Sequence, residues 1–290
     1  MIYTAKNDRL FKTVASNKYG KEILEALLST IFNEKVEVLE FIPVELALDT
    51  ESERKKTLDV LVRVDNKIIN VEMNAQGLSE IVKIRNLSYL CKLFSNNIKK
   101  GEGIDVETKF LQINLIYNYK KAKRLMNKAY LKDEDGIYTE NFGTWNVYME
   151  KAEEICYNNE EERKRLRYLL MLNMTPEELK DFFPEDEIIK KFRGEIMRLN
   201  SDTKFIREIS EEEEKIMISK QEGQTQGYNE GINTGINIGI DKGIKQGIEE
   251  KNIEVIRNLL KIKTPIKTIA IATNLTEEEV KERIKKFNLE

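Results

Sequence analysis

The fold is decided by residues 56–74, which read KTLDVLVRVDNKIINVEMN. Two apolar, β-branched runs flank Asp65-Asn66, a pair of residues that tolerates the left-handed backbone angles of a tight turn. A two-residue turn at this place pairs Val64 with Lys67. The segment therefore predicts a β-hairpin with a defined register.

This register brings two acidic side chains together, because counting outward from the turn places Asp59 directly opposite Glu72. Opposed residues have Cβ atoms about 5 Å apart, and like charges there destabilise a sheet by up to about 1 kcal/mol. A bridging divalent cation would remove that cost, since Mg²⁺ binds one or two carboxylates together with water. The alternative is a half-exposed hairpin whose acids are neutralised by Arg63 or Lys56, or whose register is shifted by one residue.

The two faces of the hairpin are expected to differ in polarity, because successive side chains of a strand point to opposite faces. The apolar face would contain Leu58, Val60, Val62, Val64, Ile69, Val71 and Met73. The other face would contain Asp59, Arg63, Asn70, Glu72 and Asn74.

The composition excludes several kinds of chemistry. The 290 residues include no histidine, which excludes Ser-His and Cys-His catalysis and any histidine-ligated metal. Two cysteines cannot form a disulfide framework or a cysteine zinc site. A net charge of -3 excludes a uniformly basic surface, so any nucleic-acid contact must use a local patch.

Apolar runs are too short for a membrane span, and the N-terminus lacks the apolar core of a signal peptide. We therefore expect a cytoplasmic protein without a membrane partner.

Short strands alternate with helices in the first half of the chain, which predicts an α/β or α+β domain over residues 1–150. The expected strands are 36–43, 58–64, 68–73, 110–117 and 145–149, with a helix over 81–100. A charged helical extension is expected over 151–220, where Ser210 opens a further helix.

Residues 221–250 contain a repeat in which glycine recurs at every fourth position from Gly223 to Gly247. From Gly231 onward, each of these glycines is followed by isoleucine. A glycine inside a helix costs about 1 kcal/mol relative to alanine, so this helix should not persist alone. Either it packs against a partner, most simply a second copy in a homo-oligomer, or the segment is a flexible linker.

Residues 251–290 predict a small helical unit that resembles a helix-turn-helix. Its last helix begins with three consecutive acids at 277–279, which would face the negative surface of DNA. The acidic start favours a helical assembly unit over a DNA reader.

The best candidate for DNA contact is a basic run with interleaved tyrosines after the fourth expected strand. It contains Tyr117, Tyr119, Lys120, Lys121, Lys123, Arg124 and Lys128. Lysine and arginine contacts to phosphate would give non-specific, salt-dependent affinity. A solvated helix face is the alternative. Arg85 and Tyr89, one helical turn apart, could face the same cleft.

Together these residues resemble the recombination-promoting nuclease and transposase family of bacterial proteins, within the PD-(D/E)XK nuclease superfamily. The similar segments are NDRLFK at 7–12, the Lys56–Val60 and 70–74 segments of the hairpin, Arg85-Asn86 with Tyr89, QINL at 112–115 and the glycine-rich tail.

The resemblance implies a restriction-endonuclease-like α/β fold, a mixed sheet flanked by helices and followed by an α-helical C-terminal region. It also implies a DNA endonuclease associated with recombination or transposition that uses Mg²⁺ or Mn²⁺. Asp59 and Glu72 match the metal-binding acids of the superfamily. Asn74 stands where the superfamily has lysine, and an amide can only orient water.

The departure at Asn74 leaves two possibilities open. Another residue, Asp8, Lys12 or Lys56, completes the catalytic site, although Asp8 could equally be a helix cap. Alternatively, the chain is a catalytically weakened nuclease that serves as a DNA-binding or protein-assembly module.

Overall fold

A computed structural model of the chain describes residues 2–45, 58–96 and 106–289. The described residues form two compact units, one ending at Ser210 and the other beginning at Glu211.

The first unit is built around a six-stranded mixed sheet with the strand order β1-β2-β3-β4-β6-β5. Its strands are β1 (Glu40–Phe41), β2 (Val60–Val64), β3 (Lys67–Asn74), β4 (Lys109–Ile116), β5 (Met126–Asp133) and β6 (Gly136–Tyr148). Strands β3, β4 and β6 are parallel, whereas β1 with β2, β2 with β3, and β5 with β6 are antiparallel. The start of β2 and the carboxyl ends of β3, β4 and β6 therefore lie at one edge of the sheet.

Helices flank this sheet, so the expected mixed α/β fold with a helical C-terminal region is confirmed. They are α1 (Asp8–Ala15), α2 (Gly20–Phe32), α3 (Glu80–Asn96), α4 (Met149–Cys156), α5 (Glu160–Arg165), α6 (Arg167–Leu170), α7 (Pro176–Phe182) and α8 (Glu187–Ser201).

The predicted hairpin register is present, with Val64 paired to Lys67 and Val60 to Val71. Asp65 adopts the left-handed conformation that the turn requires, with φ of 47°. Leu58 was wrongly placed on the apolar face with Val60, because the paired part of the strand ends at Val60 and alternation does not continue beyond it. Leu58 packs instead with the residues beneath α3.

Two apolar clusters cover the two faces of the sheet. The larger contains side chains from α1 and α2, from one face of the sheet, and from the helices after residue 150, with Leu170, Phe192 and Ile209 among them. The smaller joins Leu61 and other residues of the opposite face to α3. Helices α4, α6, α7 and α8 thus share the main core with the sheet.

Several predicted boundaries were wrong. The strand expected over 36–43 is reduced to the two residues of β1, and β5 was not predicted at all. No helix starts at Ser210, because that residue lies inside α9 (Thr203–Lys261), which is continuous through the glycine repeat.

In the second unit, the end of α9 packs with α10 (Ile266–Thr273) and α11 (Glu277–Lys286) around Ile256, Ile269 and Val280. Thr276 and Glu279 form the capping box that starts α11. No helix among the described residues is both long enough and apolar enough to traverse a lipid bilayer.

Candidate active site

Two buried acids meet at the edge of the sheet where β2 begins and β3 ends. The backbone N–H of Asp59 donates to Glu72 Oε1 at 3.2 Å, and the N–H of Met73 donates to Asp59 Oδ2 at 2.7 Å. Asp59 is 7% exposed and Glu72 is 3% exposed. The hairpin thus places the two acids side by side, and hydrogen bonds from its backbone hold both carboxylates.

Helix α1 brings a lysine to this pair. The Lys12 Nζ lies 2.8 Å from Asp59 Oδ1 and 3.1 Å from Asp8 Oδ2. Asn7 caps the helix by accepting from the N–H of Leu10, so Asp8 is not the cap and its carboxylate is available to Lys12. The structure therefore brings Asp8 and Lys12 to the acids, whereas Lys56 lies outside the described residues.

The electrostatics of the cluster follow from its burial. Desolvation, and then the nearby Glu72 carboxylate, raise the pKa of Asp59 well above its ordinary value, although Lys12 opposes this rise. Desolvation likewise raises the pKa of Glu72, against hydrogen bonds from Asn70 and the backbone. Burial would lower the pKa of Lys12, but its contact with Asp59 outweighs that effect and keeps the ammonium charged.

Asn74 lies two residues beyond Glu72 and is 3% exposed. Its Oδ1 accepts from the guanidinium of Arg85 at 3.1 Å and from Asn86 Nδ2 at 3.4 Å. Arg85 belongs to α3, and its charge also favours the ionised form of Glu72. The predicted residues Asn74 and Arg85 are therefore in direct contact beside the acids.

A buried amide network continues from this site across the sheet. Asn114 is at its centre, because it accepts from Asn86 and Gln112, each at 2.9 Å. It donates to Thr144 and Asn146, each at 2.8 Å. In the parallel register, Glu72, Asn114 and Asn146 are neighbours on three adjacent strands.

The sequence contains a signal for this network. Polar residues at 112, 114, 144 and 146 alternate with apolar ones in strands otherwise suited to a core. The resemblance included Gln112, Asn114 and Asn86 but gave them no role, and Thr144 and Asn146 were missed.

A family model described as PD-(D/E)XK nuclease family transposase matches residues 5–225. The chain belongs to this family. Searches of curated proteins and of solved structures return no match.

For a PD-(D/E)XK family protein, a divalent cation is the general cofactor. The described residues contain no group of three or more acid, cysteine or histidine side chains placed to hold a metal. Within the cluster, Asp59 and Glu72 are the adjacent buried carboxylates that would hold a cation. Carboxylate oxygens are donors that suit Mg²⁺, and a cation there would offset the desolvation that raises both carboxyl pKa values.

The predicted DNA contacts of this PD-(D/E)XK family protein divide into two groups. Lys120, Lys121, Lys123 and Arg124 are exposed in the loop after β4, at the same edge of the sheet as the acids. Tyr117 was wrongly included, because its side chain is 1% exposed and packs in the main core. A side chain buried in that way offers no surface to DNA.

Proposed function

We propose that this chain is a divalent-metal-dependent endonuclease that hydrolyses DNA phosphodiester bonds. The observation that carries the proposal is the contact between Lys12 and Asp59, which completes a cluster of two buried carboxylates and one ammonium. Membership of the nuclease family supports nuclease-like chemistry in general. DNA as the substrate and Mg²⁺ or Mn²⁺ as the cofactor are parts of the proposal.

Each residue of the cluster has a distinct role in this proposal. Asp59 and Glu72 hold the cation, which when bound lowers the pKa of water and offsets charge on a phosphate. The Lys12 ammonium stabilises negative charge that develops on the phosphate, as preorganised cations do in a water-poor site. Asn74, held by Arg85, orients water by hydrogen bonding.

Lys12 therefore replaces, from the first helix, the cation that is missing at position 74. Its Nζ contacts Asp59 from a helix outside the sheet, whereas a lysine at position 74 would extend from β3 itself. Asp8 supports this role by accepting a second hydrogen bond from Lys12.

DNA would cross the edge of the sheet where the acids and the basic loop both lie. Arg85 and the loop residues Lys120, Lys121, Lys123 and Arg124 would contact phosphates. Such contacts supply affinity that weakens with salt and does not depend on sequence. A cytoplasmic location and a role in recombination or transposition remain further parts of the proposal.

The proposal is tested by incubating supercoiled plasmid with the purified chain and Mg²⁺ or Mn²⁺. Nicking should be lost in EDTA and in the Asp59→Ala and Glu72→Ala variants. Lys12→Met should reduce the rate by about 10²–10³-fold, as expected for loss of one charge-stabilising group. Matched controls are Asp65→Asn, in the turn of the same hairpin, and Lys21→Met, on the surface of α2.

Equal nicking by wild type and both carboxylate variants would contradict the assignment of the acids. Unchanged nicking by Lys12→Met would be compatible with the metal site but would contradict the role proposed for Lys12.

A catalytically weakened DNA-binding or assembly module is the second candidate. The observation that favours it is that Asn74 is uncharged and that its carbonyl already accepts hydrogen bonds from Arg85 and Asn86. A folded wild-type chain that binds DNA but does not nick it would support this candidate.

Assembly into a homo-oligomer through residues 221–250 is also part of the proposal. Its support is the exposure of apolar side chains along this part of α9, with Ile236, Ile240 and Ile244 53%, 56% and 57% exposed. A second copy that covers this surface would bury both the isoleucines and the glycine backbone.

A further inference from the structure

A cavity of about 310 Å³ lies beside the candidate active site, between α3 and the face of β6 and β5. Its walls are mainly apolar, formed by residues such as Leu87 and Leu90 of α3, Leu131 of β5 and Phe142 of β6. This volume is at the lower end of the range for ligand-binding pockets, which is suitable for one small planar group.

One side of the cavity is polar, because Asn86, Asn114, Thr144 and Asn146 also line it. Asn146 uses its Oδ1 to accept from Asn114, and its Nδ2 has no hydrogen-bond acceptor among residues 2–45, 58–96 and 106–289. The Thr144 Oγ1 also accepts from Asn114. Both side chains are partly exposed, so they can donate to a ligand.

Asn86 provides a second and independent indication that this cavity binds a polar ligand. It is 3% exposed, and its Oδ1 has no hydrogen-bond partner within the described part of the chain. A buried amide oxygen without a donor is unfavourable, and native proteins rarely leave one unsatisfied. An N–H group of a ligand in the cavity could satisfy it after a small rotation of the amide.

The cavity is joined to the acids by the amide network. Asn86 contacts both Asn74 and Asn114, and Asn114 is next to Glu72 in the register of β3 and β4. Strands of one sheet are about 4.8 Å apart, so the polar side of the cavity starts roughly one strand from Glu72. A nucleotide whose phosphate lies at the acids could therefore place its base in the cavity.

We propose that this cavity binds a single DNA base that has left the helical stack, next to the phosphate at Asp59 and Glu72. The proposal rests on the endonuclease function proposed above. Apolar side chains would contact the faces of the base, whereas amide and hydroxyl groups would bond to its edge. This division between apolar faces and a polar edge matches the way enzymes hold extruded bases.

The combination of groups favours a base over a simple anion. A phosphate would require cations, but the only cationic side chain that lines the described cavity is Lys83, which is paired with Glu80. Amide side chains are the groups that form paired hydrogen bonds with base edges.

The test uses a DNA duplex with a 2-aminopurine in a single-nucleotide bulge, because an unpaired base costs least to extrude. Stacking quenches 2-aminopurine, so its capture in the cavity should raise the fluorescence severalfold. Anisotropy of the same duplex reports binding, and Ca²⁺ replaces Mg²⁺ to slow hydrolysis.

Leu87→Trp is the decisive variant, because the larger side chain would fill the cavity. Leu87 is 48% exposed, so the chain should fold with this change. Ile84→Trp is its matched control on the same helix, 67% exposed and not part of the cavity wall. We expect the fluorescence rise with wild type and Ile84→Trp, and its loss with Leu87→Trp while anisotropy still reports binding.

Two results would overturn the base pocket: bound duplex without a fluorescence change in wild type, or the same rise in Leu87→Trp. Free 2-aminopurine deoxyriboside is titrated in parallel, and capture of this nucleoside without capture from bound DNA would overturn the DNA-base proposal and assign the cavity to a free nucleoside. Plasmid nicking by the same preparation separates the two proposals. Nicking without base capture contradicts only the cavity, and capture without nicking contradicts only the endonuclease.

Discussion

Two regions of the molecule differ in how far the rest of the fold surrounds them. One is the edge of the sheet that contains the acids, and the other is the glycine-rich part of α9. At the sheet edge, Asn114 is 2% exposed and makes four hydrogen bonds to its neighbours. Along α9, a methyl group added at any glycine from Gly223 to Gly247 would meet no described atom within 4 Å outside its own helix. The first region is specified by tertiary contacts, whereas the second has only its helical backbone.

This difference indicates where each region obtains its stability. Partners within the same fold satisfy the buried amides, so removing one of them leaves several others unsatisfied. The exposed glycines weaken the helix, and no described residue outside it contacts their surface to offset that cost. Substitutions in the two regions should therefore have opposite signs.

Asn114→Leu should have the largest effect on stability. The change removes four hydrogen bonds, leaves the buried amide of Gln112 without its acceptor and leaves that of Asn86 only its 3.4 Å bond to Asn74. The expected cost is roughly 2–5 kcal/mol in the free energy of unfolding. Denaturant unfolding followed by the fluorescence of Trp145, the single tryptophan of the chain, would measure it. Asn127→Leu, on the exposed side of β5, is the control and should change stability little. Similar midpoints for the two variants would mean that the network does not stabilise the sheet.

Alanine at Gly231, Gly235 and Gly239 should have a smaller effect of opposite sign. Each substitution favours the helix by about 1 kcal/mol, so hydrogen exchange of this segment should slow by about 100-fold in the isolated chain. If copies associate through the glycine surface, the added methyl groups should also weaken that association, measurable by light scattering.

The matched control for these alanines is the same substitution at Asn229, Asn233 and Asn237, which have the same spacing on another side of the helix. An assembly that survives both sets of substitutions would contradict association through the glycines.

The smallest expected effect is the response of stability to pH and Mg²⁺. The raised pKa values of Asp59 and Glu72 mean that the metal-free folded state holds protons that the unfolded state releases. The free energy of unfolding should therefore fall as pH rises from the ordinary carboxyl pKa through the raised folded values. Lys12 stays protonated across this range and adds no slope.

Mg²⁺ at ten times its Kd should restore about 1.4 kcal/mol, and only where the acids are ionised. Unfolding at pH 5 and pH 8, with Mg²⁺ or EDTA, would test this. The Asp59→Asn, Glu72→Gln double variant should lose both the slope and the response to the metal. A wild-type chain that is equally stable in Mg²⁺ and EDTA at pH 8 would argue against a metal at this pair.

The hairpin could be predicted from the sequence because its register depends on a local turn and on alternation. The sequence identified Lys12 as a candidate but could not predict its contact with Asp59, since that contact depends on how α1 packs against the sheet. Tyr117 follows a strand that is buried on both faces, and polarity alone does not distinguish that environment from an exposed loop. Strand β5 was missed because its exposed residues, such as Lys128 and Lys132, do not show the pattern of a core strand.

The separations along the chain within the acid cluster have a consequence for folding kinetics. Asp59 and Glu72 are 13 residues apart and joined by a tight turn, so closing this loop costs little entropy. The Lys12–Asp59 contact closes a loop roughly three to four times longer, at an additional entropic cost of about 1 kcal/mol. Local contacts tend to form early, so the two acids should meet before their lysine arrives. The nascent hairpin then contains an uncompensated negative pair, and conditions that neutralise it should accelerate folding.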